Sequence, residues 1–204
     1  MTGGRALSLV AGVAVLALTA WFAWRGERFI EANGPTFDEG VHLTSGYAYW
    51  KAGEFRLNGE DPPLFKLLWA LPLLFRDAPP FPPAVSPEFR SNLWHVGDAW
   101  MYGTNIPPRA LLDTARRVNL TFGCALVLLI GWVGYRVWGS KLAGVAACAF
   151  AAADPTLLAL SCVLSTDLGV TLFGLLTCYL MWEYASHPSR GLVVGLGVGA
   201  GLML

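Results

Sequence analysis

Apolar residues gather along this chain in long blocks separated by polar stretches of very unequal length. The first block, Ala6 to Trp24, is 19 residues long and ends in Trp21, Phe22 and Trp24. A helix needs about 20 apolar residues to cross a bilayer, and aromatic side chains favour the interface. The run lacks the short apolar core and small-residue cleavage site of a signal peptide, so it reads as an anchor. Further blocks follow at Val118 to Trp138, Leu142 to Leu160 and Leu168 to Tyr184. Each is long enough to predict a spanning helix. The last, Gly191 to Leu204, has 14 residues and predicts a span that continues past Leu204. The predicted fold is therefore all-α: a polytopic transmembrane helix bundle in one membrane-embedded domain.

The connections set a topology. Arg136, Lys141 and Arg190 lie in or beside two of the short turns, and Ser161 to Asp167 carries no basic residue. Basic residues in short loops stay on the cytoplasmic side. An inner-membrane protein results, with a cytoplasmic N-terminus. The 25–117 loop and the Ser161–Asp167 turn are then external. Within that loop, Leu64 to Phe75 is too short to span and is interrupted by Pro72. It predicts a short interfacial helix, started by Pro62-Pro63, since proline is tolerated in a first helical turn. A proline- and aromatic-rich stretch, Asp77 to Arg109, follows with Trp94, Trp100 and Tyr102.

Composition sharpens this picture. Charged residues are 14% of the chain, against about 25% in an average soluble domain. They are segregated: residues 25–117 hold ten Lys/Arg and eleven Asp/Glu, and residues 118–204 hold three of each. The net charge of zero argues against a nucleic-acid partner. Cys124, Cys148, Cys162 and Cys178 are scattered through apolar runs with no C-x-x-C pair. They indicate neither a zinc knuckle nor a disulfide framework.

Three acidic groups stand on the predicted outer side: Asp38-Glu39, Glu60-Asp61 before Pro62-Pro63, and Asp167 at the mouth of the fourth span. A carboxylate at a helix end must be solvated or paired, and Asp167 is also placed to cap its helix.

In combination these groups form a pattern. The segment TFDEGVHLTSGYAYWKAGEFRLNGEDPPLFKLLWALPLL, then AWMYGTN, the pair Arg116-Arg117 and ADPTLLALSCVLSTDLGVTLF together cover most of residues 30–180. They resemble the protein O-mannosyltransferases and the lipid A aminoarabinose transferases, polytopic glycosyltransferases that use a sugar on a polyprenyl phosphate. The resemblance implies such a sugar donor as partner, membrane lipids around it, and an acceptor of unspecified kind. It makes Asp38 the catalytic base, with Glu39 its acidic neighbour and Asp167 a second essential carboxylate. Arg117 would face the lipid phosphate, with Glu60, Asp61 and Lys66 at the substrate. Glu60 would also hold a divalent metal. Asp61 and Leu160 stand where many relatives carry histidine, so a metal would have to be held differently here. A carboxylate can take the acceptor proton, and a cation can stabilise the departing phosphate. Two other classes stay open: a transporter or flippase, which would carry its polar groups near the bilayer midplane, and a non-catalytic membrane scaffold.

Overall fold

A computed structural model describes residues 2–76, 78, 92–103 and 105–204, with only the backbone for 2–5. Much of the proline-rich part of the long loop, including 79–91, lies outside the described residues. The described chain is helical throughout, with no strand among the described residues. We label the helices α1 (Thr2–Ala32), α2 (Glu39–Ala52), α3 (Pro63–Ala70), α4 (Leu93–Tyr102), α5 (Pro108–Trp138), α6 (Lys141–Ala153), α7 (Pro155–Cys162), α8 (Asp167–Ser186) and α9 (Arg190–Gly201). Two 3₁₀ turns, Phe55–Asn58 and Leu71–Phe75, follow α2 and α3.

Helices α1, α5 and α8 are each long and apolar enough to cross a membrane, and α6–α7 makes a fourth if counted as one bent span. Their apolar side chains are largely unpaired within the protein: on α1, Leu9 is 70% exposed, and Leu7, Val10, Val13 and Leu16 are similar. Rows of exposed leucine and valine of this length indicate a lipid-facing surface.

The spans are longer than their apolar blocks. Helix α1 runs on to Ala32, and α5 starts at Pro108 rather than Val118, with Pro108 in its first turn. The apolar run rule finds only the lipid-matched part, and the polar extensions are held by packing outside it. The expected span 142–160 is broken: α6 and α7 meet at Asp154-Pro155 with a bend of 63°. Proline cannot donate to the helix ladder, and the Asp154 carboxylate caps α7 by accepting from the Leu157 amide at 2.6 Å.

The helices alternate in direction. At one end Lys141 Nζ donates to Ser8 Oγ at 2.6 Å, and Arg136 pairs with Glu183. At the other, Arg117 Nε donates to Glu27 at 2.8 Å, and Arg109 donates to the Glu31 carbonyl at 2.6 Å. On this second end α2, α3 and α4 pack over α5. Their core joins Leu43 and Tyr47 of α2, Phe65 and Trp69 of α3, Trp100 and Met101 of α4, and Leu112 of α5. The 64–75 segment thus has a buried face against protein, including Phe65, Lys66 and Trp69. Two glycines allow the close fit. A Cβ at Gly46 would lie 2.0 Å from the Lys66 carbonyl, and one at Gly169 would lie 2.0 Å from the Phe65 ring.

Candidate functional site

Helix α2 begins at Glu39, directly after Asp38, and the two adjacent carboxylates meet opposite fates. Glu39 is 1% exposed. Its Oε1 accepts from Arg116 Nε at 2.8 Å and its Oε2 from Arg116 Nη2 at 2.6 Å. The amides of Thr36 (2.8 Å) and Leu164 (3.1 Å) complete the set. Arg116, also buried, donates to the carbonyls of Asn33 (3.0 Å) and Gly34 (2.8 Å). One ion pair therefore ties the 33–39 segment to α5 and to the turn before α8. Asp38 precedes the same helix, but its side chain makes no cap bond, and it faces a cavity instead.

That cavity has a volume of about 320 Å³. Its polar lining is Asp38 and His42 from the start of α2 and Asn58, Glu60 and Asp61 from the following turn. Val41, Leu93 and Trp94 supply the apolar wall. Helical spacing brings His42 beside Asp38, since residues four apart share a face. His42 Nδ1 lies 3.8 Å from Asp61 Oδ2 and 3.4 Å from Asn58 Nδ2. Burial holds the imidazole below its ordinary pKa, against the opposing pull of Asp61.

Beneath this turn sits Lys66, fully buried. Its ammonium donates to the carbonyls of Asn58 (2.8 Å) and Asp61 (2.9 Å) and lies 3.4 Å from the Tyr49 hydroxyl. Tyr49 in turn donates to the Asn58 carbonyl at 2.7 Å. Lys66 thus fixes the backbone that carries Glu60 and Asp61 and is not in the cavity lining. Desolvation pushes its pKa down to about 8. From pH 8 to about 10.5 the unfolded chain still binds the proton that the folded one has released, so stability rises with pH across that window. Thermal unfolding in detergent should show this rise in the wild type and a shallower one in Lys66→Met; equal slopes would rule out a buried lysine of lowered pKa.

The other expected site residues are placed elsewhere. Arg117 is half-exposed and bound to Glu27 of α1; Arg116, its neighbour, is the one that turns inward. Asp167 opens α8, exposed, with its carboxylate accepting from Ser165 Oγ at 2.9 Å. The Glu39–Leu164 bond brings its turn against α2, yet Asp167 is absent from the cavity lining. Expected convergence of Asp38, Glu60 and Asp167 therefore holds for the first two. His42 and Asn58 went unnoticed in the sequence, although His42 lies one helical turn beyond Asp38. As for a metal, no three His, Cys, Asp or Glu side chains among the described residues converge as ligands.

A larger, apolar groove of about 610 Å³ runs between α1, α5 and α6 beside Ser8 and Lys141, at the end of the bundle away from Asp38. No protein-family model, curated protein or solved structure matches the chain.

Proposed function

We propose that the chain acts in a membrane-embedded glycosyltransferase that moves a sugar from a polyprenyl phosphate to an acceptor at the outer face of the inner membrane. The observation that carries the reading is the polar cavity beside the spanning helices, with the Asp38 carboxylate at its edge and making no cap bond to α2. The Asp38 carboxylate takes the proton of the acceptor hydroxyl or amine as that atom bonds to the sugar C1. The C1–oxygen bond to phosphate breaks with inversion, and the polyprenyl phosphate leaves with the bonding electron pair. Glu39 and Arg116 position Asp38 by locking the segment that holds it, and no step is routed through a metal. Full-length protein in proteoliposomes, supplied with a polyprenyl-phosphate sugar, should release polyprenyl phosphate with sugar transfer. Undiminished transfer by Asp38→Asn would sink the assignment.

A transporter would make use of the break at Asp154-Pro155. The Asp154 carboxylate is already engaged in capping α7, which favours the transferase.

The proposed orientation puts the N-terminus and the 185–190 turn in the cytoplasm and the cavity outside, from Arg136, Lys141 and Arg190 in or beside the short turns. Single cysteines placed at Lys51 and Arg56 should react with a membrane-impermeant maleimide in intact cells, and one at Ser189 only after permeabilisation. The reverse pattern overturns the orientation.

A further inference from the structure

Two apolar grooves meet at Lys141. The groove of about 610 Å³ between α1, α5 and α6 is walled by Leu16, Leu128 and Trp132. A second, of about 500 Å³, is walled by Leu7, Val10, Ala14 and Leu142. Ala11, Lys141 and Val145 line both, so they form the ridge between them. Lys141 opens α6 at one end of that ridge, and its ammonium donates to Ser8 Oγ at 2.6 Å. The hydroxyl is a neutral partner, so this bond positions the ammonium and leaves its charge in place.

The grooves have the depth of one lipid leaflet. Trp132, Tyr135 and Trp138 are exposed at the same end of α5, as aromatic side chains are where a span meets the headgroups. From that level the first groove follows α1 from Ser8 to Leu16, about 12 Å at 1.5 Å per residue. The second follows it from Leu7 to Ala14, about 10 Å. Half of a bilayer's hydrocarbon core is about 15 Å.

Gly12 keeps the first groove open. A Cβ there would meet no atom within 4 Å, whereas one at Gly144 would lie 2.9 Å from the Gly131 carbonyl oxygen. Close packing of α5 on α6 therefore accounts for Gly144, and packing does not account for Gly12, a poor helix former inside a long helix.

These features select an occupant. A neighbouring helix, about 10 Å across, needs one broad channel. A polyprenyl carrier has one chain and would leave the other groove unfilled. A lipid with two acyl chains needs two grooves that meet at its phosphate, and Lys141 supplies the opposite charge at that point. We infer that the two grooves hold the acyl chains of one anionic diacyl phospholipid, with its phosphate on Lys141. The site lies at the end of the bundle away from Asp38, so its occupancy is independent of sugar transfer.

Native mass spectrometry of the full-length protein, delipidated in detergent, tests this with dioleoyl phosphatidylglycerol, dioleoyl phosphatidylcholine and decaprenyl phosphate. Wild type should bind the glycerol lipid about fivefold more tightly than the choline lipid, the usual effect of one lysine on an anionic headgroup. Lys141→Gln should bring that ratio near one, and Lys141→Arg should keep it. Gly12→Leu fills the first groove without a clash, so it should weaken both diacyl lipids and leave their ratio unchanged. It also keeps the test decisive where Lys141→Gln is recovered poorly. The site is refuted if wild type binds the two diacyl lipids alike, if the ratio survives Lys141→Gln, or if Gly12→Leu binds both like the wild type. Decaprenyl phosphate outbinding the glycerol lipid through Lys141 would replace it with a single-chain carrier. A dimer that persists in excess lipid and dissociates in Gly12→Leu would put a second copy of the chain in the groove instead.

Discussion

On the proposed function, Asp38→Asn should lower sugar transfer by about 10²–10⁴-fold, the range over which a positioned general base contributes, and leave the protein folded in the membrane. The second half of that expectation comes from local geometry. A residue just before a helix often caps it, and losing a cap costs about 1 kcal/mol. Asp38 makes no such bond, so the carboxamide removes a proton acceptor and little else. Its volume is nearly unchanged, and the position is exposed. Transfer measured in proteoliposomes, beside the amount of monodisperse protein recovered in detergent, separates the two effects. Transfer within a few-fold of wild type would remove Asp38 from the chemistry, and a loss that tracks protein yield would make it a folding residue.

Arg116→Met has the opposite signature: it destabilises the fold by about 3–5 kcal/mol, the usual cost of breaking a buried ion pair from one side. The Glu39 carboxylate would stay buried with its cation gone, and the carbonyls of Asn33 and Gly34 would lose their donor. A typical domain has only about 5–15 kcal/mol in total, so much of the protein should fail to reach a monodisperse state. The double variant Glu39→Gln/Arg116→Met should recover part of the loss, because no uncompensated charge remains. Recovery is partial because a carboxamide has one acceptor oxygen for the amides of Thr36 and Leu164, which now donate to separate carboxylate oxygens, and the carbonyls of Asn33 and Gly34 still lack their donor. Thermal midpoints in detergent read the series. A single variant as stable as wild type, or a double variant worse than both singles, would show that the pair does not hold α2 to α5. An equivalent change at Arg117 should have little effect, since its half-exposed pair with Glu27 is of a kind that contributes about 0–1 kcal/mol.

That contrast between neighbouring arginines marks where the sequence stops being informative. Apolar run length was enough to place α1, α5 and α8, because a bilayer imposes about 20 apolar residues on any helix that crosses it. Pro63 in the first turn of α3 was also legible, since proline acts through its own missing donor. So was a concentration of acids between the first two spans, of which Asp38, Glu60 and Asp61 do meet. The fate of each charge was not legible. Successive residues on a helix point about 100° apart, so of Arg116 and Arg117 one turns inward and the other outward. Which one does depends on how α5 is rotated against α2, which is set by Leu112, Trp69 and their neighbours in a shared core. The same holds for Glu39 and Asp38, and for Asp167, whose turn reaches α2 while its carboxylate does not enter the cavity. His42 belongs to the site because the 58–61 turn lies against α2, where the buried ammonium of Lys66 holds its carbonyls. Pattern along the chain thus determined which segments are apolar enough to lie in lipid and where the acids are gathered; packing between segments 77 residues apart and more decided which carboxylate became a structural tie and which faces the cavity.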